Sequence, residues 1–194
     1  AFVRGEGLGL FDENGNKYMD AISGIGVAIW DTAIGGEPNP GRAGRAEEDA
    51  LQRGGLARAL LSPDVEAAIF ASPDPVTLAV YEWSGRYNQS EILPWTTIRT
   101  KVDLVDAASR IGTSTRIETS FPTALGYALG HGSTLFRDVP ECLFKTIDVS
   151  GDGENNDGFG PGDAYSAFAF DEITVNGLAI ATSTDKVNPS LEQY

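Results

Sequence analysis

The sequence predicts a doubly wound α/β domain, in which a mainly parallel sheet carries helices on both faces, preceded by an N-terminal β-hairpin. Short runs rich in Val and Ile alternate with amphipathic helical stretches along most of the chain. Polar loops follow three of the predicted strands, after Trp30, Trp83 and Val149. Loops of this kind meet at the carboxyl edge of a parallel sheet, where this fold class binds its ligands.

The predicted elements follow in order from the N-terminus. An extension over residues 1–24 contains Asn14-Gly15, the preferred pair for a tight turn between two short strands. The domain itself is expected over residues 25–182, and residues 183–194 form a polar tail. Within the domain, the expected strands cover 25–30, 76–83, 144–149 and 173–180, the expected helices 47–61, 65–71, 103–111, 122–136 and 164–170, and the expected loops 35–46 and 84–90.

Composition and charge exclude several classes of function. The chain has 194 residues and a formal net charge of −14, from 14 basic and 28 acidic residues. Nucleic acids and anionic membranes are bound through clustered Lys and Arg, so neither is an expected partner. Cys142 is the only cysteine, which excludes an internal disulfide and a multi-cysteine zinc site. No apolar run reaches the roughly 18 residues that a membrane-spanning helix needs.

An oxygen-rich loop follows the third predicted strand. Residues 148–158 read DVSGDGENNDG and supply the carboxylates, amides and glycines that Mg²⁺ and Ca²⁺ sites use. An EF-hand is one interpretation, since Asp148, Ser150 and Asp152 fit its first, third and fifth positions. That interpretation fails at the twelfth position, where a bidentate carboxylate is needed and Phe159 stands. A solvated acidic turn is the alternative to a cation loop.

Four stretches of the chain together resemble a family of bacterial proteins. They are ALQRGGLARAL at 50–60, AVYEWSG and ILPW within 79–95, TALGYAL at 123–129 with the loop at 147–158, and ITVNGLAI at 173–180. The family is the von Willebrand factor A-like domain of unknown function 1194, and the resemblance covers residues 47–180. It implies a Rossmann-type doubly wound domain with a metal-ion-dependent adhesion site, where a divalent ion at the carboxyl edge accepts a carboxylate from a partner protein.

The resemblance also implies which residues form the site. A first loop supplies Asp-x-Ser-x-Ser, a second loop a Thr and a third loop an Asp, and by position these would be Asp31, Thr123 and Asp152. The chain departs from this pattern after Asp31, because both serines are missing from residues 32–35. Two carboxylates and one hydroxyl would hold Mg²⁺ or Ca²⁺ weakly, so we expect a degenerate metal site. The loop residues expected to contact the partner are Ser150, Glu154, Asn155, Asn156 and Asp157.

The combined prediction is a non-catalytic module that binds another protein, in the periplasm or outside the cell. The start at Ala1 suggests either a mature chain or a trimmed one. The alternative is a structural subunit that docks into a larger assembly without a metal. Residues 2–27 separately resemble the opening hairpin of class III pyridoxal-phosphate aminotransferases, which adds an enzyme relic as a third interpretation. A hydrolase is disfavoured, because His131 is the only histidine and no Gly-x-Ser-x-Gly elbow is present.

Overall fold

The computed structural model describes the backbone of residues 2–6, 9–12, 17–19, 25–31, 53–71, 73–116, 121–139, 142, 144–151 and 155–179, with side chains from residue 53 to residue 177. Near the N-terminus, an antiparallel sheet has the order β1-β2-β3, with β1 at Phe2–Glu6, β2 at Gly9–Asp12 and β3 at Lys17–Met19. Leu10 lies opposite Tyr18, so the two strands that flank Asn14-Gly15 pair as predicted, and β1 adds a strand that the sequence did not predict. The turn at Asn14-Gly15, the loop predicted at 35–46 and the tail predicted at 183–194 lie outside the described residues.

A second sheet of five strands has the order β6-β5-β4-β7-β8. Its strands are β4 at Ile25–Asp31, β5 at Val76–Trp83, β6 at Gln89–Ile98, β7 at Lys145–Gly151 and β8 at Ile173–Ala179. All neighbouring strands are parallel except β5 and β6. Strands β5 and β6 lie on one side of β4, and the later strands β7 and β8 lie on the other. Such a reversal in strand order leaves a crevice at the carboxyl ends of the strands. The predicted doubly wound, mainly parallel sheet is confirmed.

The edge strand β6 contradicts the loop predicted at 84–90, because that loop ends at Asn88 and a strand follows. The strand runs back along β5, with Gln89 opposite Trp83 and Ile98 opposite Val76. Its exposure is irregular, it contains Pro94, and its pairing with β5 shifts register twice. An edge strand tolerates proline and bulges. These irregularities remove the alternation by which a strand is recognised in a sequence.

Helices cover both faces of the five-stranded sheet. The described part of α1 covers residues 53–60, and the other helices are α2 at Pro63–Ile69, α3 at Lys101–Thr113, α4 at Leu125–Leu135 and α5 at Pro161–Ala167.

The prediction was wrong at several helix ends. Thr100 and Asp103 form a reciprocal capping box that starts α3 two residues early. Pro161, at the first position of α5, starts that helix three residues before the predicted 164–170. Among the described residues, no helix has the length and apolar character needed to cross a bilayer.

The sheet separates two apolar layers. On one face, alternate residues of β5, including Leu78 and Val80, pack with α1, α2 and α3. On the other face, Tyr81 and Trp83 pack with α4, α5 and β7, and Trp83 is fully buried. Neighbouring residues of a strand point to opposite faces, which explains how β5 contributes to both layers.

A buried ion pair lies within the first of these layers. Arg53 of α1 donates a hydrogen bond to the carboxylate of Glu82 on β5, and both side chains are almost completely buried. The same guanidinium donates through Nη1 to Oγ of Ser114, which follows α3, at 2.6 Å. One arginine therefore joins α1, β5 and the end of α3 close to the carboxyl edge of the sheet.

His131 belongs to the second layer. It lies inside α4, and its ring meets the ring of Tyr81 edge to face with centroids 4.9 Å apart. The side chain of His131 is half-buried at this position. Burial lowers the pKa of His131 below its ordinary value of 6.5, because the imidazolium form is poorly solvated there.

We expect His131 to make the fold less stable as the pH falls below about 6.5. In that range the unfolded chain takes up a proton before the folded chain does, so unfolding becomes more favourable until the lowered folded pKa is passed. Urea unfolding of wild type and of His131→Gln at pH 7.5 and pH 5.0 measures the effect. The carboxylates are common to both proteins, so the wild type should lose more stability than the variant. Equal losses would contradict the prediction.

Candidate functional site

Three loops meet at the carboxyl edge of the five-stranded sheet, and we call them together the three-loop edge. The first is the hairpin 84–88 between β5 and β6, the second is the segment 121–124 before α4, and the third is the described segment 155–160 between β7 and α5. The first and third follow strands at their carboxyl ends. Backbone hydrogen bonds bring the second loop into contact with both.

Direct hydrogen bonds connect the three loops. The N–H of Gly85 donates to the carbonyl of Pro122 at 2.9 Å, which joins the first loop to the second. The N–H groups of Asn156 and Asp157 donate to the carbonyl of Thr123 at 3.0 and 3.1 Å, which joins the third loop to the second. The N–H of Thr123 donates to Oδ1 of Asn156 at 2.9 Å. The three loops therefore form one connected surface.

These bonds explain why α4 begins at Leu125 and not at the predicted residue 122. The carbonyl and N–H of Thr123 bind the third loop, and the carbonyl of Pro122 binds the first. A residue inside a helix would direct its carbonyl along the helix axis to a residue four positions later. Residues 122–124 therefore stay outside the helix, and Thr123 lies fully buried at the junction of the loops.

The structure locates the three predicted metal ligands to different extents. Asp31 is the last residue of β4 and pairs with Trp83, so its backbone lies at the same edge as the three loops. Thr123 lies at the centre of the three-loop edge. Asp152 lies outside the described residues, and the structure describes the backbone alone of Asp31. Within the part of the chain that the structure describes, no three His, Cys, Asp or Glu side chains are grouped to share a metal ion. A metal site formed by the three residues stays a prediction.

The predicted partner-contacting residues that the structure describes lie at this edge in different settings. Ser150 is largely buried near the end of β7, and Glu154 lies outside the described residues. Oδ1 of Asn155 accepts a hydrogen bond from the N–H of Gly126 at 3.4 Å. Asn156 binds Thr123, and Asp157 binds a residue of the first loop. Asn155, Asn156 and Asp157 thus use side-chain oxygens to hold the third loop against its neighbours.

The residue that binds Asp157 is Arg86, which the sequence reasoning missed. Its Nε and Nη2 donate to Oδ1 of Asp157 at 2.9 and 2.6 Å. The hydrogen bond from this guanidinium lowers the pKa of the Asp157 carboxyl below its ordinary value. The ion pair closes the first loop onto the third, beside their common contacts with the second.

A cluster of aromatic rings lies next to this ion pair, and we call it the aromatic corner: Tyr87, Tyr127 and Phe159. The ring of Tyr127 stacks on that of Phe159 with centroids 4.1 Å apart, and meets that of Tyr87 edge to face at 6.1 Å. The guanidinium carbon of Arg86 lies 5.9 Å from the centre of the Tyr127 ring. Tyr87 is 81% exposed. The available sequence signal for this surface was the pair Arg86-Tyr87 in a short loop after a buried strand.

One protein-family model matches most of the chain. The family described as "Protein of unknown function (DUF1194)" matches residues 44–194. The chain belongs to this family. The match confirms the resemblance found in the sequence and begins after β4, so Asp31 lies outside the matched stretch. A comparison with curated protein sequences gave no match.

Solved structures similar to this family member have a von Willebrand factor A fold. The conserved hypothetical protein BatB from Bacteroides thetaiotaomicron is 19% identical, with a TM-score of 0.51, over 80% of this chain and 65% of its own. A von Willebrand factor type A protein from Catenulispora acidiphila is 16% identical, with a TM-score of 0.51, over 79% and 32%.

Proximal thread matrix protein 1 from the mussel byssus, whose metal-ion-dependent adhesion site holds zinc, is 14% identical, with a TM-score of 0.54, over 81% and 36%. The chain thus spans between 32% and 65% of the lengths of these three proteins. At such identities the similarity establishes the fold alone.

Proposed function

We propose that this DUF1194 domain is a non-catalytic module that binds another protein through the three-loop edge. The observation that carries the proposal is the connection of three loops into one surface that exposes Tyr87 beside Arg86. Tyr and Arg are the side chains that contribute most often to the energy of protein interfaces. The loops lie where doubly wound sheets bind ligands. A periplasmic or extracellular setting belongs to the same proposal.

Site-specific crosslinking tests the surface directly. A photoreactive phenylalanine analogue is placed at Tyr87, at Val102 or at Tyr18, in the cells that produce the protein. Val102 is the matched control, because it is 76% exposed on α3, which covers the opposite face of the sheet from α4. We expect a discrete protein adduct from position 87 and none from position 102. Adducts of equal yield from both positions, or none from position 87, would contradict the proposal.

A structural subunit that docks into a larger assembly is the second candidate. It is favoured by the sheet of β1, β2 and β3, which forms no strand pairs with the five-stranded sheet among the described residues. A small sheet with its own strand pairing offers a further surface for docking. In the crosslinking experiment, an adduct from Tyr18 alone would favour this candidate over the first.

We propose that any divalent ion at the three-loop edge is held by Asp31, Thr123 and Asp152, and is held weakly. Zinc at the corresponding kind of site in the mussel protein supports a metal, and the missing serines after Asp31 argue for low affinity. Calorimetric titration with Mg²⁺, Mn²⁺ and Ca²⁺ should give at most weak binding to the wild type and none to Asp152→Ala.

Asp171→Ala is the matched control for this titration. The variant loses the same charge at an exposed residue just before β8, at the opposite edge of the sheet. It should bind metal as the wild type does. If no ion binds the wild type, the metal is eliminated and the binding surface remains to be judged by crosslinking. If Asp171→Ala loses binding as Asp152→Ala does, the ion responds to net charge and not to the site.

A further inference from the structure

We propose that the partner protein covers the three-loop edge with an uncharged, apolar segment, whose side chains pack on Tyr87, Phe121 and Pro122. We call these three residues the apolar patch. The inference rests on the proposed function, because it names the partner chemistry of the same surface. It differs from the adhesion-site mechanism, in which the partner contributes a carboxylate to a metal ion.

The first step is the exposure of the apolar patch. Tyr87 is 81% exposed and Phe121 is 42% exposed, and Pro122 is exposed next to Phe121. The third loop adds two further exposed residues, Asn156 and Gly158, and both are uncharged. Covering large rings releases free energy in proportion to the apolar area that is removed from water. Exposed apolar residues that lie together on a surface are therefore typical of a protein-binding site.

The second step is the way in which the backbone holds the two rings on neighbouring loops. The N–H of Phe121 donates to Oγ of Ser84 at 3.3 Å, and the N–H of Gly85 donates to the carbonyl of Pro122 at 2.9 Å. Gly85 has a φ of 75°, and a Cβ there would lie 2.8 Å from the Cβ and 3.3 Å from the Cγ of Phe121. Phe121 thus packs against the backbone of the hairpin that carries Tyr87. Because both loops are already fixed to each other, less entropy is lost when a partner covers them.

The third step is the balance of charge in the described segments of the three loops. Arg86 and Asp157 are the only charged residues in these segments, and Nη2 of Arg86 lies 2.6 Å from Oδ1 of Asp157. The formal charge of the segments is therefore zero, on a chain whose formal net charge is −14. A charged partner segment would lose water without gaining an unpaired opposite charge. An apolar segment has no such penalty, so it is the occupant that the described surface favours.

Four pools of synthetic peptides test the inference with the full chain. The pools have the same randomised flanks of Gly, Ser, Thr, Asn and Gln and differ only in a fixed central pair, Leu-Leu, Ser-Ser, Lys-Lys or Glu-Glu. Fluorescence anisotropy gives the affinity of each pool at low and high salt, with Mg²⁺ or with a chelator. We expect the Leu-Leu pool to bind about tenfold more tightly than the Ser-Ser pool. Its affinity should change less than about twofold with salt or Mg²⁺, because no charge takes part.

Variants of the apolar patch locate the binding. Tyr87→Ser should weaken binding of the Leu-Leu pool about tenfold and Phe121→Ser about fivefold, in the order of the exposure of the two rings. Tyr165→Ser and Phe144→Ser are the matched controls, because these rings are 46% and 60% exposed on α5 and just before β7, outside the three-loop edge. Both controls should bind the pool as the wild type does. Urea unfolding checks that each variant is folded.

The outcomes separate the inference from the proposed function. Tighter binding of the Lys-Lys or Glu-Glu pool than of the Leu-Leu pool, equal binding of the Leu-Leu and Ser-Ser pools, or a steep loss of affinity with salt would overturn the apolar partner. Equal weakening in Phe121→Ser and Phe144→Ser would also overturn it, because the peptides would then adhere to any exposed ring. The same holds if no pool binds. In each of these cases a discrete crosslink from position 87 leaves the binding module standing, and its absence overturns both.

Discussion

Replacement of Arg53 by Met is expected to destabilise the fold by about 3–5 kcal/mol, because it removes the guanidinium from the buried carboxylate of Glu82. The side chains of Arg53 and Glu82 are 4% and 3% exposed, so water cannot replace the lost partner without opening the layer between α1 and β5. The variant also breaks the 2.6 Å hydrogen bond from Arg53 to Ser114. Urea unfolding, followed by tryptophan fluorescence, measures the loss.

Two further variants make this prediction specific. Lys101→Met breaks an ion pair with Glu66 in which the lysine side chain is 67% exposed, and it should cost less than about 1 kcal/mol. The double variant Arg53→Met with Glu82→Leu removes both buried charges and should be markedly more stable than Arg53→Met alone. A loss in Arg53→Met as small as that in Lys101→Met would show that Glu82 is readily solvated. A double variant as unstable as Arg53→Met would show that packing of the arginine, and not its charge, stabilises the layer.

The sequence predicted most of the parallel sheet, because buried parallel strands are continuous apolar runs. Strand β5 was predicted with its observed ends at Val76 and Trp83, and β8 begins at the predicted Ile173. Strand β6 was missed, because an edge strand with Pro94 depends on its partner for its shape. The pair of Arg53 and Glu82 was missed for a related reason. A prediction from hydrophobic periodicity places every charged residue at the solvent-facing side of its element. Arg53 and Glu82 can be buried only because their opposite charges lie beside each other.

The candidate site was predictable in its location and not in its contacts. Because a polar loop follows the predicted strand 144–149, the residues after Ser150 could be assigned to the carboxyl edge, whereas Thr123 was assigned there only by the resemblance to the family. Asn156 binds Thr123, which lies 33 positions earlier in the chain, and Asp157 binds Arg86, which lies 71 positions earlier. No local sequence pattern connects residues that are so far apart. Tyr87 gave no periodic signal, because it lies in a hairpin of five residues whose importance comes from what surrounds it.

Replacement of Gly126 by Ala is expected to destabilise the fold by about 1–3 kcal/mol and to loosen the third loop. A Cβ at Gly126 would lie 2.3 Å from the carbonyl oxygen of Phe159 and 2.6 Å from that of Gly160. Backbone atoms cannot rotate away as a flexible side chain can, so the segment at 159–160 must move from α4. That movement pulls on the bond between the N–H of Gly126 and Oδ1 of Asn155.

Gly55→Ala provides the matched control for this effect. Gly55 also lies in a helix, but a Cβ there meets no atom within 4 Å, so alanine should be neutral or stabilising by up to about 1 kcal/mol. Hydrogen exchange adds a local measurement, since the Asn156 and Asp157 amides that bind Thr123 should exchange faster in Gly126→Ala than in Gly55→Ala. Unchanged exchange together with unchanged stability would show that the third loop adapts to a side chain at residue 126. The close approach of helix and loop would then not be what holds the three-loop edge together, and its cohesion would rest on the hydrogen bonds of Thr123 and the pairing of Arg86 with Asp157.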